Sequence, residues 1–225
     1  MHKIYTGKTK DVFLRDDGNV LLRFKDTVTG VGDRIDSGAN EVIGEVAGKG
    51  RSSFRLTLRF FELLHEAGIP THFVSVGPDE NAIIARLARS FKVEVICRVK
   101  AWGSFVRRYG DYVREGDPLP SLVEFTLKDD ERGDPLIVED ALVALNIASR
   151  ETVDYMKATA RRATSLIAGH LGERGLELID IKYEFGEVDG QTMIIDEVSG
   201  DSMRVAHRGQ ILLPTELEEA FLGKA

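Results

Sequence analysis

The stretch LIDIKYEFGEVDGQTMIIDEVS, residues 178–199, decides how this chain is read. Two apolar runs flank the turn signal Asp189-Gly190, the pattern of an antiparallel strand pair. On the first strand Ile179, Ile181, Tyr183 and Phe185 alternate with Asp180, Lys182 and Glu184. A period of two sends the apolar set to one face and the charged set to the other. The second strand is apolar until Asp196 and Glu197. Charged groups in core-like strands are costly unless paired or bound to a metal, so this hairpin is expected to wall an active site.

Turn length sets which acid faces which. A two-residue loop places Ile195 and Glu197 on the face of Lys182 and Glu184. A three-residue loop, with Gly190 left-handed in a bulge, moves the register by one and brings Asp196 there. The second arrangement is expected, because it gathers Glu184, Asp196 and Lys182 into one cluster. Two carboxylates beside a lysine suit magnesium held against phosphate oxygens. A surface salt-bridge ladder is the plain alternative.

The 225 residues are enough for a substantial core in one large domain or two lobes. A net charge of −7 argues against sequence-independent nucleic-acid binding and leaves small phosphorylated ligands open. Cys97 is the single cysteine, so neither a disulfide framework nor a cysteine metal site is possible, which suits a reducing cytoplasm. The N-terminal MHKIYTGKTK has no apolar core of a signal peptide, and no stretch approaches a membrane span.

Short strands are expected at 3–5, 12–15 and 20–24. Residues 26–50, rich in Gly, Asp and Thr, read as a long functional loop. Ser52 or Ser53 can cap a helix to about Ala67, with Phe54, Leu58, Phe61 and Leu64 on one stripe. A strand follows at 92–99, then a short helix carrying Arg107 and Arg108. Residues 110–146 read as mostly loop with short strands. A long helix is expected from Ser149 to Leu171, with Val153, Met156, Ala160, Ala163, Ile167 and Leu171 at helical spacing. Thr215-x-x-Glu218 reads as a capping box opening a last helix. The order predicts a two-lobed α+β protein with a cleft.

Gly7-Lys8-Thr9-Lys10 joins two strands and could approach a phosphate, although taken alone it reads better as an exposed basic turn, and the spacing is not that of a Walker loop. Gly103-Ser104 opens a helix, a possible anion site with Arg98 upstream and Arg107 and Arg108 downstream. Arg204 adds a further candidate, and arginine suits bidentate phosphate binding better than lysine. Trp102 fits both stacking on a planar ligand and simple packing. The five histidines show no metal-ligand spacing.

Taken together, YTGKTKDV, the GKG at 48–50, AGIPTHF, VEVICRVKAWGSFVRRYG, FTLKDDERGDP, LIDIKYEFG and IIDEVSGDSMR resemble, in order, the phosphoribosylaminoimidazole-succinocarboxamide synthase (SAICAR synthetase) family. The resemblance covers about residues 4–204. It implies a small antiparallel lobe over a larger α+β lobe with ATP between them, distantly kinase-like, drawn here as 1–97 and 98–225. It implies an ATP-dependent ligase of purine biosynthesis that joins the carboxylate of carboxyaminoimidazole ribonucleotide to L-aspartate through an acyl phosphate. Carried over by motif, Lys8, Lys10 and Lys128 would bind ATP, and Glu184 and Asp196 would hold Mg2+. Arg98, Ser104 and Arg204 would clamp the ribonucleotide 5′-phosphate, and Asp180 and Lys182 would line the reacting carboxylate. The implied partners are small molecules only, with no nucleic acid or membrane, and the implied state is a cytoplasmic homo-oligomer.

The chain departs from the family pattern near the heterocycle. Arg98-Val99-Lys100-Ala101-Trp102-Gly103-Ser104 stands where many members read Arg-Asn-x-Ala-Ala-Gly-Ser. Ser199-Gly200-Asp201 and Arg204-Val205-Ala206-His207 stand where many read Ser-Pro-Asp and Arg-Leu-Trp-Asp. The tail after Arg204 is 21 residues, shorter than the family's usual closing helices. A compact branch with the same reaction and a paralogue acting on a related ribosyl-phosphate heterocycle both fit.

Overall fold

The β-branched and alternating runs form strands largely where the pattern predicts them. In the computed structural model, which describes residues 1–223, the chain opens with β1 (His2–Thr6), β2 (Lys10–Leu14) and β3 (Val20–Phe24). The segment 26–50, expected to be a loop, is a small antiparallel sheet of β4 (Thr27–Val31), β5 (Arg34–Ile35) and β6 (Glu41–Glu45). Its glycines obscured the β-branched Thr27, Val28, Thr29, Val31, Val42 and Ile43, which supply the strand preference.

Helix α1 (Lys49–Glu66) starts earlier than Ser52 or Ser53, with left-handed Gly48 at its N-cap and no side-chain cap of its own. A distant carboxylate does that work: Asp26 accepts the N–H groups of Gly48 and Gly50 at 3.2 and 2.8 Å. Free donors at a helix start need an acceptor, and nothing requires it to be local in sequence. Ser52 and Ser53 instead bond Glu218 and Asp201.

The chain continues through β7 (Phe73–Val76), β8 (Ala82–Ala85), β9 (Arg89–Lys100) and α2 (Ser104–Tyr109). Residues 110–146 hold more regular structure than expected: β10 (Pro118–Leu127), a 3-10 turn (Asp130–Arg132) and α3 (Glu139–Ala144). Then come α4 (Arg150–Gly172), β11 (Leu176–Val188), β12 (Gln191–Ile195), β13 (Met203–His207), β14 (Gln210–Ile211) and α5 (Pro214–Leu222). The helix begins within a residue of its expected start, with Ser149 as its N-cap, the side chain accepting the Thr152 N–H. At α5 the cap lies elsewhere. Glu216 receives the Leu213 N–H, and Glu218 is taken by Ser52 and Arg55.

The fold is α+β with antiparallel sheets. Besides the small sheet β5-β4-β6, one runs β1-β2-β3-β8-β7 and the largest runs β10-β9-β11-β13-β14, with β12 also paired to β11. Strand β11 is long enough that β13 pairs with residues 176–181 and β12 with residues 184–188 on one edge, while β9 lines the other edge. Between β12 and β13, residues 196–202 therefore leave the sheet beside Lys182, whose N–H donates to Ser202 O at 2.8 Å. The apolar face of β11 (Ile181, Tyr183, Phe185) is buried with Met156, Ala160, Ala163 and Ile167 of α4 in one core. Phe60 of α1 stacks on Phe221 of α5 with centroids 5.1 Å apart. Each such side chain contributes roughly 1.5–3 kcal/mol on burial.

A Cβ on Gly50 would lie 2.9 Å from the Lys25 carbonyl carbon and the Phe24 oxygen, both backbone atoms. Gly50→Ala is therefore expected to lose about 1–3 kcal/mol in urea unfolding. Gly44→Ala, with nothing within 4 Å, should stay within about 0.5 kcal/mol of the parent.

Candidate active site

Two polar rows cross the large sheet, one residue per strand. Arg98 on β9 pairs with Asp180 on β11, which pairs with Arg204 on β13. Four positions along, Thr126 on β10 pairs with Glu94 on β9, Glu94 with Glu184 on β11, and Glu184 with Ile195 on β12. Period-two alternation sends all of these to the face opposite α4, with Lys182 between the rows.

The hairpin register differs from expectation. Val188 pairs with Gln191, so the turn has two residues, Asp189 (φ 51°) and Gly190 (φ 78°), a type I′ geometry that matches strand twist. No bulge shifts the register, and Ile195 stands opposite Glu184. Asp196 reaches the cluster by another route. It takes a left-handed backbone (φ 68°) that ends β12 and turns its side chain toward the cleft. His72 braces the kink, with Nε2 3.2 Å from the Asp196 carbonyl. A carbonyl only accepts, so Nε2 carries the proton. Burial lowers the His72 pKa to about 4, which keeps the ring neutral.

Lys10 is buried with its ammonium on Glu197 and 3.2 Å from Asp196. Lys128, just past β10, pairs with Glu184, and Lys182 donates to Glu94 at 2.7 Å. Lys8 in the β1–β2 turn reaches Asp130 at 2.8 Å and Asn40 at 3.2 Å. Burial and repulsion from Asp196 push Glu184 above the usual carboxylate range. Burial acts on Asp196 in the same sense, but Lys10 and Lys128 outweigh it and hold that group below its ordinary value. Burial would lower Lys10, Lys128 and Lys182; their acidic neighbours win, and all three sit above the ordinary lysine value.

These side chains line a cavity of about 110 Å³, below the roughly 300–1,000 Å³ of a typical small-molecule cleft and closer to the size of a phosphate group. A second cavity of about 600 Å³ adjoins it, sharing Lys182, Glu94, Ser37 and Ser202, and is lined by Arg98, Ser104, Asp180 and Arg204. Arg98, only 2% exposed, donates to Glu124 (2.7 Å), Asp180 (2.9 Å) and Ser104 Oγ (2.9 Å). Arg204 donates to Asp180 (2.8 Å) and twice to Asp36 (2.7 and 2.9 Å). Asp180 thus braces two arginines. A Cβ on Gly38 would lie 1.9 Å from Arg204 Nη2, so a larger residue there would have to displace that guanidinium.

Lys10, Lys128, Lys182, Glu184 and Asp196 come together in one place, with Lys8 at its rim, and Arg98, Ser104, Asp180 and Arg204 in the adjoining one. Sequence reading named Glu197 without giving it a role and missed Glu94, Asp36 and His72. Glu94 carried a signal, since it alternates with buried Val93 and Val95; the others become visible only through contacts across more than a hundred residues. The smaller cavity counts six carboxylates against four lysines among its lining residues. That excess, with the raised Glu184, suits a dication. Among the described residues no group of three or more Asp, Glu, His or Cys side chains could hold one alone. Non-protein oxygens would have to complete the shell, the habit of magnesium beside phosphates.

A family model described as SAICAR synthetase matches residues 3–216. A phosphoribosylaminoimidazole-succinocarboxamide synthase of Clostridium tetani is 46% identical over 226 residues, covering 99% of this chain and 100% of that relative. One from Thermotoga petrophila is 42% identical, covering 92% of this chain and 86% of the relative. A solved structure described as a type-2 SAICAR synthetase in complex with ADP superposes with a TM-score of 0.87 at 28% identity, over 98% of this chain and 97% of the other.

Removing one member of a buried ion pair strands the others. Arg98→Met should lower the unfolding free energy by about 3–5 kcal/mol, read from the urea midpoint at constant m-value. A midpoint equal to the parent's would mean that Glu124 and Asp180 do not depend on Arg98.

Proposed function

The chain belongs to the SAICAR synthetase family, and from that membership we propose that it joins carboxyaminoimidazole ribonucleotide to L-aspartate at the expense of ATP. One observation carries the reading. The Glu184–Asp196 pair, ringed by lysines, opens directly onto the arginine-lined cavity, and Lys182 lines both. A phosphoryl donor in the smaller cavity and a carboxylate held from the larger one would therefore meet at Lys182. That a structural relative is described in complex with ADP supports nucleotide binding by this chain. The match to the C. tetani relative along its whole length supports a compact branch with the same reaction.

In this reading the ATP phosphates lie against Lys8, Lys10 and Lys128: Lys8 and Lys128 exchange their ion pairs with Asp130 and Glu184 for phosphate oxygens, while Lys10 keeps Glu197 beside Asp196 and adds a phosphate oxygen. Arg98, Ser104 and Arg204 take the ribonucleotide 5′-phosphate, Arg204 releasing Asp36 to do so, while Asp180 keeps the guanidiniums aligned. Lys182 orients the carboxylate. A carboxylate oxygen attacks the γ-phosphorus, the bond to ADP breaks, and an acyl phosphate forms. The aspartate amine then attacks the acyl carbon, inorganic phosphate leaves, and the nitrogen loses its proton to solvent. Glu184 and Asp196 would hold magnesium, which supplies charge neutralisation on the phosphate oxygens when bound. The protein's own contribution is alignment and fixed charge, with no covalent nucleophile.

We divide the chain into a nucleotide lobe (1–97) and a substrate lobe (98–225), with β9 crossing the division. We place the enzyme in the cytoplasm as a homo-oligomer, the state that the family resemblance implies. Among the described residues no helix is long and apolar enough to cross a membrane.

Asp196→Asn keeps a residue type that tolerates the left-handed backbone, so it should fold normally by circular dichroism. It should also lose about a hundredfold or more in aspartate-dependent ADP release. Near-normal turnover would refute the metal assignment. Arg204→Ala should raise the ribonucleotide KM roughly ten- to hundredfold, as loss of charge-assisted hydrogen bonds implies, with a smaller change for ATP. Equal changes for both substrates would remove Arg204 from the phosphate clamp.

A further inference from the structure

Within the 196–202 excursion, the buried Ser199 side chain belongs neither to the apolar core nor to the walls of either cavity. Its Oγ accepts the Asp201 N–H at 3.0 Å and lies 2.5 Å from Glu197 Oε2. A backbone N–H only donates and a carboxylate only accepts, so the hydroxyl proton points at Glu197. The other oxygen of Glu197 takes the Lys10 ammonium. At the far end, Asp201 Oδ2 accepts from Lys49 Nζ at 2.8 Å and Ser53 Oγ at 2.7 Å, two buried groups near the start of α1. A continuous polar chain therefore runs from α1 through Asp201, Ser199 and Glu197 to Lys10.

We propose that Ser199 is a positioning residue for phosphoryl transfer. Its hydroxyl holds Glu197 in the orientation that presents the Lys10 ammonium beside Asp196. The inference rests on the reading that Lys10 meets the ATP phosphates, and it extends that reading to a residue with no access to substrate. Buried Glu197 has two close partners, Lys10 and Ser199, with Thr9 Oγ1 farther off at 3.4 Å from the oxygen that Lys10 holds. Without the Ser199 hydroxyl, Oε2 loses the donor that fixes it, and the carboxylate can rotate about its Oε1 contacts and shift the ammonium. Misplacement of a charged group by about 1 Å can cost up to about a hundredfold in rate. The local turn does not need this hydroxyl. It is closed by the Ser202 N–H on Ser199 O and by the Ser199 N–H on Ser202 Oγ, both of which survive Ser199→Ala; within the turn that variant loses only the Asp201 N–H bond.

The test is steady-state kinetics of the full chain with all three substrates. Ser199→Ala should lower kcat roughly ten- to hundredfold at saturation while the ribonucleotide KM stays within about twofold. Glu197→Gln, which keeps the volume, should lose kcat to a similar degree. In that background Ser199→Ala should cost less than about twofold, because the group it orients is already altered. Unchanged kcat in either single variant, additive losses in the double variant, or a parallel rise in ribonucleotide KM would each overturn the role. Calorimetric titration of the unsubstituted protein with ATP separates the two levels. No binding removes the nucleotide reading and the Ser199 role with it. Binding together with an unaffected Ser199→Ala variant removes the Ser199 role alone.

Discussion

A single ammonium group, that of Lys10, is held in the interior by two acids that belong to another sheet. Lys10 begins β2 of the five-stranded sheet, whereas Asp196 and Glu197 follow β12 of the six-stranded one. Burying a charge costs several kcal/mol unless partners replace its water, so this contact forms with both partners in place or not at all. The contact ties the two sheets together at the mouth of the cleft. It also sets the electrostatics there: Lys10 holds Asp196 ionised, while burial and neighbouring acids push Glu197 the other way. An anion with its own cation could enter such a balanced cluster without leaving a bare charge behind.

The large sheet acts as a ruler for everything else. Strands at fixed spacing put Arg98, Asp180 and Arg204 in one row and Thr126, Glu94 and Glu184 in the next. Apolar side chains of the same strands, locked against α4, prevent a one-residue slip that would carry every charge into the core. Arg98 shows what the arrangement demands, since a guanidinium so deeply buried persists only with all three nitrogens engaged. Buried ion pairs add little net stability, and this row is better understood as a device that fixes orientation.

Much of this was legible in local pattern. The alternation along 180–185 assigned core and cleft faces correctly, failing only at Ile179, where a bulge puts Leu178 into the core instead, and the spacing from Val153 to Leu171 located a helix whose six marked residues are all buried. Motif order identified the family. The weaker readings share a cause, which is that local signals were asked to answer non-local questions. Glycine content in 26–50 masked a sheet that forms because β4 pairs with β6. Ser52 and Ser53 resemble caps, yet the free N–H groups of α1 are satisfied by Asp26, and both hydroxyls serve other elements.

The hairpin draws the line between the two kinds of information. Residue order alone determined that Glu184 faces the cleft, because a strand alternates by covalent geometry, and that Asp189-Gly190 turns the chain. It also placed two acids at the end of the return strand. Which acid would join Glu184, and how, was decided only in three dimensions. A two-residue turn set a register that points Asp196 away, and a left-handed kink, braced by His72 and fastened by Lys10, brought it back. Backbone strain of that kind persists only where distant contacts hold it, and no run of neighbouring residues encodes those contacts.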